Sequence, residues 1–294
     1  MVCNMRMKSN RPTTFFVFFI IVLLAASFII SSCSTGNPTS RLGIGSAQVS
    51  PKDGMMLMYV PAGEFLMGAA YSTEPQKAKT ERGRFVVVNE DPQHTVYLDA
   101  YWVDQTEVTQ EMYAKCVSAG VCAQPNCANS GDNYPVVCVS WYDAKDYCAW
   151  AGRQLPTEAQ WEKAARGTDG RIYPWGDAPA TCEYAVINDG TGSGFCGQGN
   201  NVSPVGSKPK GVSPYGALDM AGNTWEWVAD WYAEDYYQDS PRNNPTGPDT
   251  GQTRVVRGGG EYDYYWYDVR TTARVLSRMS WRDLNLGFRC ASMP

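Results

Sequence analysis

Pro135-Val136-Val137-Cys138-Val139-Ser140-Trp141-Tyr142-Asp143-Ala144, followed by Leu155-Pro156-Thr157-Glu158-Ala159-Gln160-Trp161-Glu162, is the stretch on which the fold turns. Each half reads as the entry to a helix. Ser140 and Asp143 open the first, in which Ala144, Tyr147, Cys148 and Ala151 share a face before Gly152 stops it. Thr157 and Gln160 form a capping box just after Pro156, predicting a second helix through Trp161, Ala164 and Ala165 to Gly167. Upstream, Thr109 caps a third that runs to Ala119 and ends at Gly120. Short strands are predicted over residues 56–60, 64–67, 95–98, 254–257 and 288–291, while nearly all of 170–251 reads as loop, rich in Gly and Pro. Ten Trp and eighteen Tyr are expected to pack those loops, because large rings bury much area at little entropic cost. The expectation is a compact α+β domain of irregular, loop-rich type.

The N-terminus reads as an address. Arg6, Lys8 and Arg11 precede an apolar run from Phe15 to Ile30, and Ser31, Ser32 and Cys33 follow. That is the three-part layout of a secretory signal, with an apolar stretch short for a spanning helix. Ile30-Ser31-Ser32-Cys33 also resembles a bacterial lipobox, which implies cleavage before Cys33 and a lipid on its sulfur. Residues 1–32 are therefore expected to be a lipoprotein signal peptide, 33–54 the lipidated Cys33 with a flexible Ser/Thr/Gly/Pro tether, and 55–294 one domain. Either cleavage or an uncleaved anchor would hold the chain on a membrane, facing the periplasm or cell exterior. A net charge of -5 and a pI near 5.0 argue against a nucleic-acid partner.

Of ten cysteines, Cys3 falls in the signal and Cys33 at the lipidation site. The other eight are Cys116, Cys122, Cys127, Cys138, Cys148, Cys182, Cys196 and Cys290, an even number that predicts disulfides in an exported chain. A single histidine, His94, excludes a three-histidine metal centre, and a Ser-His-Asp site unless His94 serves it. In the alternating run at 91–98 it reads as structural.

Further motifs carry a family resemblance. Met58-Tyr59-Val60-Pro61-Ala62-Gly63-Glu64-Phe65, Asp104-Gln105-Thr106-Glu107-Val108-Thr109, the opening stretch, Tyr173-Pro174-Trp175-Gly176, Asp219-Met220-Ala221-Gly222-Asn223-Thr224-Trp225-Glu226-Trp227, Arg254-Val255-Val256-Arg257-Gly258-Gly259 and Gly287-Phe288-Arg289-Cys290-Ala291 occur in that order. Together they resemble the formylglycine-generating enzyme (sulfatase-modifying factor) domain over nearly all of 55–294. The resemblance implies a C-type-lectin-like fold. It implies a Cys148–Cys290 disulfide, with Cys182 and Cys196 expected to pair locally and Cys116, Cys122, Cys127 and Cys138 among themselves in an order left open. It also implies structural calcium at Asp219, Gly222, Thr224 and Glu226, with a second, poorly matched site at Asn188 and Asp189. Hard oxygen donors on a glycine turn suit that ion.

Family members that oxidise a sulfatase cysteine use copper held by two thiolates shortly after an Arg-Gly-Gly-Ser motif. In this chain the serine position is Gly260, and Glu261, Tyr262, Asp263, Tyr264, Tyr265, Trp266, Tyr267 and Asp268 follow without a cysteine. Copper is therefore not expected, since Cu(I) needs soft sulfur donors. The leading expectation is a membrane-anchored, non-oxidising binding protein with a protein or peptide ligand. Its surface would combine residues 261–268 with Arg270, Arg274, Arg278, Trp281 and Arg282, since aromatics with polar tips make adaptable contact area. Alternatives are an oxidase using rearranged cysteines (Cys122 with Cys127, or a reduced Cys290), an altered enzyme built on Glu261, Asp263, Asp268 and Arg270, and a lectin-fold protein diversified by retroelements within 261–285.

Overall fold

The computed structural model describes residues 42–70, 89–127, 131–188, 196, 202–260 and 269–294. The predicted helices form where their caps stand: α1 (Gln110–Ser118), α2 (Trp141–Trp150) and α3 (Glu158–Arg166). Thr109 Oγ1 accepts from the Met112 N–H at 3.2 Å, and reciprocal capping boxes close Ser140 with Asp143 and Thr157 with Gln160. A fourth helix, α4 (Tyr236–Asp239), is a single turn.

Among the described residues there are ten strands. β1 (Ala47–Val49), β2 (Met56–Val60), β5 (Tyr101–Asp104) and β10 (Ala291–Ser292) make an antiparallel sheet in the order β1-β2-β5-β10. β3 (Gly63–Met67) and β4 (His94–Leu98) pair as a ribbon. β6 (Trp225–Trp231), β7 (Arg254–Arg257), β8 (Arg274–Ser277) and β9 (Leu286–Phe288) form the second four-stranded sheet, ordered β8-β7-β6-β9, with β6 and β9 parallel. The strand predicted at 288–291 is thus two. Arg289 and Cys290 carry the chain from β9 across to β10, so its end stitches both sheets together.

Four strands escaped the sequence reading, β1, β5, β6 and β8. β6 lies inside the stretch expected to be loop, yet it is buried on both faces and therefore shows no alternation of polar and apolar residues. β5 and β8 are four-residue strands, buried at nearly every position, for the same reason. The domain also begins earlier than expected. β1 pairs with β2 in the register Ala47↔Met58, and Asp53, assigned to the tether, is only 2% exposed. Its carboxylate accepts from Tyr147 Oη at 2.8 Å and pairs with Arg153. Despite the cost of burial, the hydrogen bonds and charge of Arg153, with the hydrogen bond from Tyr147, hold it down to about 2.

Among the described residues, two large apolar clusters and two smaller ones fill the interior. One large cluster gathers Tyr113, Tyr147, Trp225, Trp227 and Phe288 around the Cys148–Cys290 disulfide. The other large cluster packs Phe65, Val96, Trp161, Tyr215 and Val255. Every residue of α3 is buried, including Glu158, Glu162, Lys163 and Arg166, so its polar face must be satisfied inside the protein.

Candidate functional site

Arg257, at the end of β7, is the hub of that satisfaction. It is fully buried, pairs with the equally buried Glu162, and donates from Nη1 to the carbonyls of Thr272 (2.7 Å) and Ala273 (2.8 Å) and from Nη2 to that of Thr271 (3.1 Å). One guanidinium therefore holds the chain both where it leaves β7 and where it re-enters at β8. Gly258 and Gly259 follow with φ of 103° and 76°, conformations that disfavour any residue bearing a Cβ. Gly258 presents its carbonyl to the Gly222 N–H at 2.9 Å. A Cβ on Gly260 would lie 2.0 Å from Asn285 Nδ2, so the family's serine could not be restored here without displacing a buried amide. On the return side Val269 is buried, Arg270 Nη2 donates to Glu90 Oε1 at 2.6 Å, and the Thr271 N–H donates to the Ile172 carbonyl at 2.9 Å.

Residues 261–268 connect these two positions in the sequence. The expected ligand-binding residues Glu261, Tyr262, Asp263, Tyr264, Tyr265, Trp266, Tyr267 and Asp268 lie outside the described residues. Trp281 is 45% exposed and Arg278 is exposed. Arg282 is half-buried and donates to Asp143 Oδ2 at 2.6 Å. Arg274 requires correction. It is 1% exposed, donates to both Glu158 oxygens at 2.8 Å, and lies 4.1 Å from the centre of the Tyr237 ring. A buried arginine paired with a carboxylate anchors the frame and offers nothing to a ligand. Arg270 is likewise turned toward Glu90. Burial raises the Glu90 carboxyl above its ordinary range, a shift that Arg270 opposes. Sequence reasoning missed Glu158 and Glu162 as frame residues. Their spacing of four on a capped helix was the available signal, placing both carboxylates on one face.

The residues of the expected calcium turn have protein partners. Asp219 adopts φ 56° and accepts the Gly206 N–H at 2.6 Å. Thr224 Oγ1 is directed to Glu107 Oε1, 3.4 Å away, and Glu226 is held on both oxygens by Arg289 at 2.7 Å, with Trp161 Nε1 at 2.8 Å. Thr224 and Glu226 are thus committed to protein partners, and no metal-binding cluster of three or more His, Cys, Asp or Glu occurs among the described residues. Glu107 is a further buried acid here, its Oε2 without a hydrogen-bond partner. Burial and the neighbouring carboxylates of Asp219 and Glu226 push its pKa far up. Of the second candidate site, Asp189 lies outside the described residues.

The eight cysteines from Cys116 onward all pair. Cys148 pairs with Cys290 and Cys182 with Cys196, as expected, while the open set resolves to Cys116–Cys122 and Cys127–Cys138. Cys122 and Cys127 belong to different disulfides, so the rearranged thiolate pair does not exist in this state. His94 has Nδ1 3.0 Å from the Pro92 carbonyl oxygen and its ring 4.9 Å from that of Tyr237.

Residues 44–294 match the family model described as the sulfatase-modifying factor enzyme 1-like domain. The chain belongs to the sulfatase-modifying factor family. Among its relatives is the formylglycine-generating enzyme of Streptomyces coelicolor, 34% identical over 288 residues that cover 79% of this chain and 88% of that one. Another is the inactive C-alpha-formylglycine-generating enzyme 2 of Bos taurus, 41% identical over 171 residues, 54% of this chain and 50% of that one. Among solved structures, PvdO from Pseudomonas aeruginosa superposes with a TM-score of 0.69 at 24% identity, over 86% of this chain and all of that one. Treponema denticola variable protein 1 gives 0.63 at 23% identity, over 85% and 99%. At those identities the structures speak to fold alone, and the fold is that of the formylglycine-generating enzyme type, consistent with a C-type-lectin-like domain.

Proposed function

We propose that this sulfatase-modifying factor domain is a membrane-anchored, extracytoplasmic binding protein without copper oxidase activity, with a protein or peptide ligand. The observation that carries the reading is the pairing of all eight cysteines of the domain. Copper oxidation on this scaffold needs two thiolates, and none is left to supply them. The binding surface we assign comprises residues 261–268 together with the exposed Arg278 and Trp281. Arg270 and Arg274 belong to its foundation. The family contains relatives named for activity and relatives named for its loss, so membership alone decides neither.

The test is Cu(I) titration of the oxidised full chain, followed by an assay for O2-dependent conversion of a cysteine peptide. Neither stoichiometric thiolate-type binding nor turnover is expected; turnover would overturn the reading. Calcium at the Asp219 turn belongs to the same proposal in reduced form. An ion there would draw on Asp219 and on backbone carbonyls, because Glu226 is engaged by Arg289. Chelation is then expected to lower the thermal midpoint, and an unchanged midpoint would remove calcium from the account.

A further inference from the structure

The exposed edge of the first sheet carries a surface that the binding site does not use. β1 is an outer strand with all three residues exposed, and Val49, 58% exposed, stands directly opposite the exposed Met56 of β2. Leu42 and Ile44, the latter 68% exposed, precede the strand. In the turn beyond it the Lys52 ammonium lies 4.9 Å from the centre of the half-buried Trp150 ring. Four apolar side chains along one edge, finished by a lysine and a tryptophan, have the composition of a membrane-interface surface.

Charge points the same way. All 30 acidic residues lie at or after Asp53, together with only 20 of the 25 basic ones, so that part of the chain is ten charges net negative. The first acid, Asp53, is itself buried against Arg153. An anionic bilayer would repel most of the domain but not this edge, where Lys52 is the one charged residue from Leu42 up to the buried Asp53. Reach narrows the choice further. Eight residues separate Cys33 from Leu42, a span of at most about 30 Å fully extended and nearer 16 Å as a flexible coil. A domain of this size is about 45 Å across.

We propose that β1 and the turn after it are the face on which the domain rests against an anionic phospholipid bilayer. This rests on the anchoring reading above. The docked edge orients the molecule and shares no residue with the ligand surface assigned above.

The full chain, purified from membranes, would be reconstituted in phosphatidylethanolamine–phosphatidylglycerol vesicles containing a diazirine-bearing phospholipid. After photolysis, adducts should concentrate within residues 42–56 and be sparse at Leu66, Ile172 and Leu284, which are comparably exposed apolar side chains. In the combined variant Ile44→Ser, Val49→Ser and Lys52→Glu, with all four disulfides intact, labelling there should fall at least about fivefold, the effect of one lost basic contact at an anionic surface. Uniform labelling, or labelling unchanged in the variant, would overturn the proposal, as would dominant cross-links between copies through β1. Detergent-phase partitioning and the mass of the N-terminal peptide are read on the same sample. An unanchored chain means that the anchoring reading has failed; an anchored chain without adducts at 42–56 means that only the resting face has.

Discussion

Arg257 is fully buried, and its charge is met by Glu162 and by the carbonyls of Thr271, Thr272 and Ala273. Arg257→Met keeps much of the volume but leaves that carboxylate without its closest counter-ion. The variant should lose about 3–5 kcal/mol, read as a lower urea midpoint. Asp230 makes a pH-dependent contribution at the same helix. It accepts the Glu158 N–H at 2.8 Å, and burial, followed by the Glu158 carboxylate, pushes its pKa up to about 8. The folded state therefore holds this proton more tightly than the unfolded chain, whose aspartate titrates near 3.9. Its contribution is fully present below the unfolded value and is lost as pH rises through about 8. Thermal midpoints between pH 5 and 9 should decline for this reason, and Asp230→Asn should flatten the decline. Asp53, held down to about 2, acts in the opposite sense: its contribution is present above the unfolded value and vanishes only in strong acid.

At the scale of elements, helices were legible and central strands were not. Thr109, Ser140 and Thr157 announce α1, α2 and α3 because a cap is a local, chemically specific event. β6 is a central strand whose Trp225, Trp227 and Glu226 all face protein, so its sequence carries no two-residue alternation to read. The site divided along the same line. The absence of cysteine after Gly260 is visible in the sequence, whereas the burial of Arg274 against Glu158 follows from packing between elements far apart in the chain. Because the ends of 261–268 are fixed by Arg257, Arg270 and Thr271, the segment between them should be replaceable. Substituting it with Gly/Ser of equal length should move the thermal midpoint by less than about 4 °C, roughly 1 kcal/mol for a domain of this size. A larger loss would show that the segment supports the fold.

For the whole molecule, the Cys148–Cys290 disulfide closes a loop of 142 residues and joins α2 to the chain between β9 and β10. The loop-entropy model gives such a link about 5 kcal/mol, and replacing both cysteines by serine should cost roughly 2–5 kcal/mol. The double variant should still show the other three disulfides by peptide mapping, since each is local, spanning 6, 11 and 14 residues.

The span from Leu286 to Ser292 supplies one strand to each four-stranded sheet, the counter-ion of Glu226 and the partner thiol of Cys148. A nascent polypeptide halted short of Leu286 would possess every helix and yet lack all four closures at once. Translation, or passage across a membrane, would have to be finished before the architecture could lock. Incomplete copies would then stay open to proteases, and completeness itself becomes a condition of survival.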